Sequence, residues 1–165
     1  MNDDMVVVAL GSNLSGGFGS VLDLLEAALA QFPAAGLKVV KRSSWWRSAS
    51  WPDPTAPDYL NGVILVETAL NPHETLAALR EIETGFGRVR SEANAPRTLD
   101  LDLIAHGHAV LGDDVLTLPH PRAAERLFVM GPLAEIAPAW VHPVLGEAAE
   151  VLAASATVGR DARTS

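Results

Sequence analysis

Asp100 and Asp102 alternate with Leu99, Leu101 and Leu103 in the stretch "PRTLDLDLI", residues 96 to 104. In an extended strand, residues i and i+2 share a face about 6.6 Å apart, so both carboxylates point one way and the leucines the other. Two carboxylates aligned in this way can bridge hard cations, although a half-exposed strand with an acidic outer face has the same pattern. Arg80, Arg88, Arg90 and Arg97 fall within eighteen residues, in a chain with only twelve Lys and Arg and a net charge of -8. Guanidinium forks match phosphate oxygens, and Mg²⁺ prefers a pair of carboxylates plus substrate phosphates to a cage made wholly of protein. Together these residues predict a magnesium-nucleotide site. The competing reading pairs Arg88 or Arg90 with Glu81, Glu83 or Glu92 in surface salt bridges.

His120 stands between prolines in "LPHPR" (118 to 122), with Arg122 and Arg126 following. A near-neutral imidazole there can donate to a phosphate oxygen, or it can be purely structural. His106 and His108 make an H-x-H pair that suggests zinc, but a third ligand is lacking and a solvated turn explains them as well. Tyr59 and Asn61 share a strand face in "PDYLN" (57 to 61), and Phe128 is an aromatic in an aliphatic segment. A planar heterocycle can stack between the two rings while the Asn amide reads its edge. The alternative is that both rings are core and Asn61 satisfies a local irregularity.

These residues need a scaffold. "MVVVAL" (5 to 10), closed by "GSN", reads as a buried strand ending in a turn. A helix over roughly 18 to 32 follows from Val21, Leu22, Leu25, Ala28, Leu29 and Phe32, with Pro33 ending it. "LKVVKRSSWWRS" (37 to 48) and "YLNGVILVETAL" (59 to 70) are β-branched and aromatic runs, predicted as two strands. The Pro-rich "ASWPDPTAPD" between them is predicted as a long loop. "NPHETLAALREIETGFGR" (71 to 88) carries Asn71 as N-cap, Pro72 at the first helical position and Glu74 as the capping-box acid. Leu76, Leu79, Ile82 and Phe86 form its apolar stripe, and Gly85 and Gly87 its stop. "TLDLDLIAHG" (98 to 107) is the next strand.

The order strand, helix, strand, strand, helix, strand predicts an α+β, ferredoxin-like βαββαβ core: an antiparallel sheet with both helices on one face and the other face open for ligands. C-terminal additions follow, with helical segments over 122 to 137 and after Gly146. Residues 157 to 165 are polar and expected to fray.

At 165 residues and 48% hydrophobic content, one domain over the whole chain is expected. The negative charge argues against nucleic acid or an anionic membrane as partner. The absence of Cys excludes disulfides and thiolate chemistry. "MVVVAL" is preceded by Asp3 and Asp4 rather than by Lys or Arg and is too short to span a bilayer, so a soluble cytoplasmic protein is expected; a monomer is expected as well.

Six segments taken together, in order, resemble one family: the 6-hydroxymethyl-7,8-dihydropterin pyrophosphokinases of folate biosynthesis. They are "ALGSNL" (9 to 14), "PDYLN" (57 to 61), "IETGFGRVR" (82 to 90), "PRTLDLDLI" (96 to 104), "LPHP" (118 to 121) and "RLFVMGPLAEIAP" (126 to 138). The resemblance implies transfer of the terminal pyrophosphate of ATP to the pterin's hydroxymethyl group, with release of AMP. It further implies that Asp100 and Asp102 hold two Mg²⁺, that Arg88 and Arg97 act in catalysis on the phosphates, and that Arg90, His120 and Arg126 join them around ATP. Tyr59 and Phe128 would sandwich the pterin, Asn61 would read its edge, Glu83 would line the shared site, and backbone groups of Ser48, Ala49 and Trp51 would contact the ring. Three positions depart from the family pattern: Ala93 stands where a basic residue is usual, Pro121 replaces a tyrosine found in some members, and Trp51 stands where a smaller aliphatic is common. Two other readings compete, namely nucleotidyl or phosphoryl transfer to a different acceptor, and a non-catalytic module that senses a nucleotide or metal.

Overall fold

The computed structural model describes residues 5 to 15, 17 to 49, 57 to 86 and 99 to 165. In chain order the elements are β1 (Val6–Ser12), α1 (Val21–Ala30), β2 (Lys38–Arg42), β3 (Trp46–Ser48), β4 (Tyr59–Glu67), α2 (Pro72–Gly85), β5 (Asp100–His106), β6 (Leu111–Gly112), β7 (Thr117–Leu118), α3 (Leu127–Ile136), α4 (Ala149–Ser155) and β8 (Arg163–Thr164). Short 3₁₀ turns cover Pro33–Ala35 and Ala123–Glu125. The main sheet runs β5-β1-β4-β3-β8, with β2 also on β4, and every pairing is antiparallel. This is the ferredoxin-like βαββαβ arrangement expected from the order of elements.

Local chemistry explains the elements that frame the site. Asn71 accepts from the Glu74 N–H at 2.8 Å and Glu74 accepts from the Asn71 N–H at 3.0 Å, so both halves of the capping box form at the head of α2. α1 begins after Ser20, whose hydroxyl accepts from the Asp23 N–H, and it is shorter than the 18 to 32 expected. Leu24 rather than Leu22 faces the core, and Leu22 is 44% exposed. The run from 37 to 48, expected as one strand, divides at Ser43–Trp45 into β2 and β3, which pair with opposite ends of β4. Trp45 and Trp46 then point to opposite faces. Trp45 lies on Gly62 and Trp46 on Gly131, and a Cβ at either glycine would meet the indole at 2.7 Å.

One sheet face is covered by α1 and α2, with Leu25, Phe32, Leu79 and Ile82 against Val8, Leu10, Ile64, Leu101 and Leu103. The opposite face, expected to be open for ligands, is closed over most of its area by α3 and α4. Met130, Leu133, Ile136 and Leu152 pack there on Val7, Ala9, Val63, Leu65, Ile104 and Ala105. The reason lies in β1 and β4, whose apolar runs are continuous rather than alternating, as strands buried on both faces require.

β5 pairs with β1 through a bulge. Val8 partners Leu103 and Val7 partners Ala105, leaving Ile104 as the extra residue. The expectation of a frayed tail is also corrected. β8 pairs with β3, and the Ser165 N–H donates to the Trp45 carbonyl at 2.8 Å. Ala162 is buried, and β8 covers what would otherwise be an unpaired edge of β3.

Candidate active site

The face that α3 covers carries the candidate residues at its uncovered end. Asp100 on β5 and Asn61 on β4 are both register partners of Gly11 on β1, and Asn61 is in turn the partner of Trp46 on β3. Paired residues on antiparallel strands project to the same side, so these four residues form one row across the sheet. Asp102 stands in the next row, opposite Ala9. Tyr59 lies two residues before Asn61 on the same face, opposite Ser48. Asp100 and Asn61 are therefore two strand spacings apart, about 10 Å, with only a glycine between them.

That glycine is required by space. A Cβ on Gly11 would sit 2.8 Å from Asn61 Oδ1. Asn61 is buried, and its Nδ2 donates to Ser48 Oγ at 3.0 Å. The amide is thereby fixed with its oxygen over Gly11, toward the column that carries the aspartates.

Both aspartates are half-buried, while Leu99, Leu101 and Leu103 are buried on the other face. β5 is an edge strand, and its outward Leu101 N–H, between the two aspartates, donates to Glu83 Oε2 of α2 at 2.8 Å. Glu83 is 1% exposed, so this buried carboxylate ties α2 to the stretch of β5 that bears Asp100 and Asp102. Two carboxylates on one strand face are a donor set that fits Mg²⁺, which fills its remaining positions with water and phosphate. They do not make a zinc site, and among the described residues no group of three or more His, Asp or Glu gathers. In the H-x-H pair, a ring nitrogen of His106 is 3.0 Å from the Leu70 carbonyl, to which it donates.

His120 is held beside this strand, its N–H donating to the Ile104 carbonyl at 2.8 Å. Burial pushes its pKa below the ordinary imidazole value. Attraction from Asp102 opposes that shift, and the charges of Arg126 and Arg122 add to it. The downward shift favours the neutral ring, and its Nδ1 accepts from the Arg122 N–H at 3.3 Å, which leaves Nε2 to carry the proton as a donor. Arg126 opens α3, and its guanidinium lies over the Phe128 ring at 5.8 Å. Asp102, His120, Arg126 and Phe128 thus form a continuous neighbourhood.

On the other side of Asn61, β3 is fixed by Glu135 of α3, which accepts from the Ser44 N–H at 2.8 Å, Ser44 Oγ at 2.6 Å and Trp46 Nε1 at 3.0 Å. Burial works to raise the Glu135 pKa, but these donors hold it below the usual carboxylate value. The Ala49 N–H, just past β3, donates to Asp161 Oδ2 at 2.7 Å. Asp100, Asp102, Asn61, Tyr59 and Ser48 are thus brought onto one face, with His120, Arg126 and Phe128 joined to its border. Arg88, Arg90, Arg97, Trp51 and Ala93 lie outside the described residues. Three contributors were missed from sequence: Gly11, whose lack of a side chain is what matters; Glu135, which reads as an ordinary helix-surface acid; and Asp161, which lies in the segment taken for a frayed end.

Comparison with known proteins places the chain in a family. A family profile described as 7,8-dihydro-6-hydroxymethylpterin-pyrophosphokinase (HPPK) matches residues 7–138. The chain is 48% identical over 142 residues to the 2-amino-4-hydroxy-6-hydroxymethyldihydropteridine pyrophosphokinase of Synechocystis, covering 86% of this chain and 70% of that one. It is 36% identical over 146 residues to the folic acid synthesis protein fol1 of Pneumocystis carinii, covering 88% of this chain but 19% of that protein. Among solved structures, the HPPK-DHPS protein of Plasmodium falciparum superposes with a TM-score of 0.71 at 13% identity, over 97% of this chain and 47% of that one. At that identity the likeness speaks for the fold alone. The chain spans less than half the length of the Pneumocystis and Plasmodium proteins.

Proposed function

The chain belongs to the 7,8-dihydro-6-hydroxymethylpterin-pyrophosphokinase family, and on that premise we propose that it transfers the terminal pyrophosphate of ATP to the hydroxymethyl oxygen of 6-hydroxymethyl-7,8-dihydropterin, releasing AMP, as a step of folate biosynthesis. The observation that carries this reading is the row Asp100, Gly11, Asn61: a polar edge-reader and a metal-type carboxylate on one face, separated by about the length of a bicyclic ring and its substituent.

Asn61 and Ser48 orient the heterocycle by its edge, and Tyr59 and Phe128 supply the aromatic surfaces on which it stacks. The hydroxymethyl group then points across Gly11 toward Asp100 and Asp102, which hold magnesium bound with ATP. Magnesium supplies charge neutralisation on the phosphates and lowers the cost of ionising the hydroxymethyl oxygen. That oxygen forms a bond to the β-phosphorus as its proton passes to solvent, the bond from the β-phosphorus to the oxygen bridging it to the α-phosphate breaks, and AMP leaves with the bridging oxygen. His120 donates from Nε2 to a phosphate oxygen without adding positive charge, and Arg126 holds phosphate beside it. By the family resemblance Arg88, Arg90 and Arg97 also act on the phosphates, and backbone groups of Ala49 and Trp51 contact the pterin. Most of the catalytic effect in such a transfer is positioning and charge stabilisation.

The decisive experiment measures AMP in the presence of ATP, Mg²⁺ and the hydroxymethyl pterin, and with each omitted. AMP that requires all three supports the reading. Release of inorganic pyrophosphate instead would identify nucleotidyl transfer, and binding without any product a sensing module.

A further inference from the structure

Residues 157 to 165 lie beyond the stretch that matches the family profile, yet they reach the candidate pterin site at two points. The Thr157 and Val158 N–H groups donate to the Glu125 carbonyl at 3.0 and 2.9 Å, and the Leu127 N–H donates to the Val158 carbonyl at 2.9 Å. These bonds fix the segment to the start of α3. Gly159 follows with φ at +71°, and a Cβ there would come within 2.5 Å of the Phe128 ring. The backbone therefore lies directly against that ring, in a conformation that itself favours glycine. Two residues later the Asp161 carboxylate accepts the Ala49 N–H at 2.7 Å. Pairing of Trp46 with Thr164 and of Arg47 with Arg163 then closes the segment onto β3.

One continuous stretch of chain thus connects Phe128 to Ala49. The former comes from α3 and the latter follows β3, and among the described residues Glu135 also joins the two elements, acting on Ser44 and Trp46. At the Ala49 end, the tie is Asp161.

We propose that residues 157 to 165 form a positioning strap for the heterocycle subsite, in which Asp161 sets the place of the Ala49 backbone and Gly159 the seating of the Phe128 ring, so that affinity for the planar substrate depends on this tail while phosphoryl transfer does not. The inference rests on the assignment of Ala49 and Phe128 to the pterin site made above. Asp161 acts through Ala49 and is a positioning residue, not a catalytic one.

The test uses the full chain with Asp161→Ala, Asp161→Asn and Gly159→Ala, comparing KM for the hydroxymethyl pterin, KM for ATP and kcat, with circular dichroism as a check on folding. Loss of one solvent-exposed hydrogen bond predicts a rise of about fivefold to tenfold in the pterin KM for Asp161→Ala, with the ATP KM and kcat within about twofold of the parent. Asp161→Asn, which keeps an oxygen acceptor, restores most of the difference, and Gly159→Ala shifts the pterin KM in the same direction as Asp161→Ala. An unchanged pterin KM in both Asp161→Ala and Gly159→Ala overturns the proposal, as does a parallel change in all three constants. A parent chain that makes AMP normally while the variants show no selective change condemns the strap alone, whereas a parent that makes none condemns the functional reading first.

Discussion

Asn61 and Asp100 are register partners of the same residue, Gly11, from opposite sides. The gap between a buried amide and a half-buried carboxylate is held open by a missing side chain. Gly11→Ala places a methyl group 2.8 Å from Asn61 Oδ1. With strands on both sides, the amide is what must move, and overpacking of this kind costs about 1 to 3 kcal/mol. The expected outcome is a stable protein whose pterin KM rises at least tenfold while ATP binding, followed by titration calorimetry, is retained. Equal weakening of both ligands would show that Asn61 does not read the pterin.

Asp102→Ala removes one of the two aligned carboxylates from the border with His120. Groups that meet charge as it develops in the transition state are worth about 10² to 10³ in rate. The expected outcome is a loss of that order in AMP formation, together with a higher magnesium requirement and an unchanged melting temperature. Turnover near that of the parent would remove Asp102 from the metal site.

Glu83 is buried, and its carboxylate accepts the Leu101 N–H. Glu83→Ala leaves that donor without its protein acceptor at the edge of β5, at a cost of about 1 to 3 kcal/mol. Urea unfolding should register this loss. The rate should fall as well, because Asp100 and Asp102 flank the freed amide. A variant as stable as the parent would show that the edge of β5 needs no cover from α2.

Glu135 supplies the pH dependence. Burial tends to raise its pKa, but the donors from Ser44 and Trp46 prevail and lower it from 4.5. A carboxylate held lower in the folded than in the unfolded chain contributes stability that is present above the unfolded value and lost as pH falls through the folded one. The parent is therefore expected to be more stable than Glu135→Gln at pH 7, with the two converging as the pH drops below about 4.5. Denaturation midpoints measured between pH 7 and pH 3 check this. Parallel curves would mean that the charge of Glu135 contributes nothing.

Much of this arrangement is legible in the sequence because it is local. The capping box at Asn71 and Glu74, the alternation of Asp100 and Asp102 with leucines, and the sharing of a face by Tyr59 and Asn61 depend on residues two or three apart, and periodicity reveals such relationships. Relationships between distant segments are not visible in this way. The bond from Ala49 to Asp161 spans 112 residues and that from Ser44 to Glu135 spans 91, and no spacing rule reaches so far. Closure of the second sheet face stands between these cases. "VVVAL" and "VILV" carry the signal of two-sided burial, but the ferredoxin-like order of elements by itself supplies helices for only one side.

The extra residue at Ile104 has a consequence for the chemistry. Leu103 faces the α1 and α2 side, whereas Ile104 and Ala105 both face α3, so β5 keeps two independent phases, one before the bulge and one after. The strand obeys the Asp-out, Leu-in rhythm only up to Leu103, and the Ile104 carbonyl is where His120 hangs. Deleting this one residue would leave both aspartates in place and every motif recognisable, yet it would shorten the tether between the carboxylates and the imidazole. The spare residue works as a hinge pin that lets one edge strand serve two neighbours, the phosphate-side histidine and the metal-side acids, without turning either toward the core.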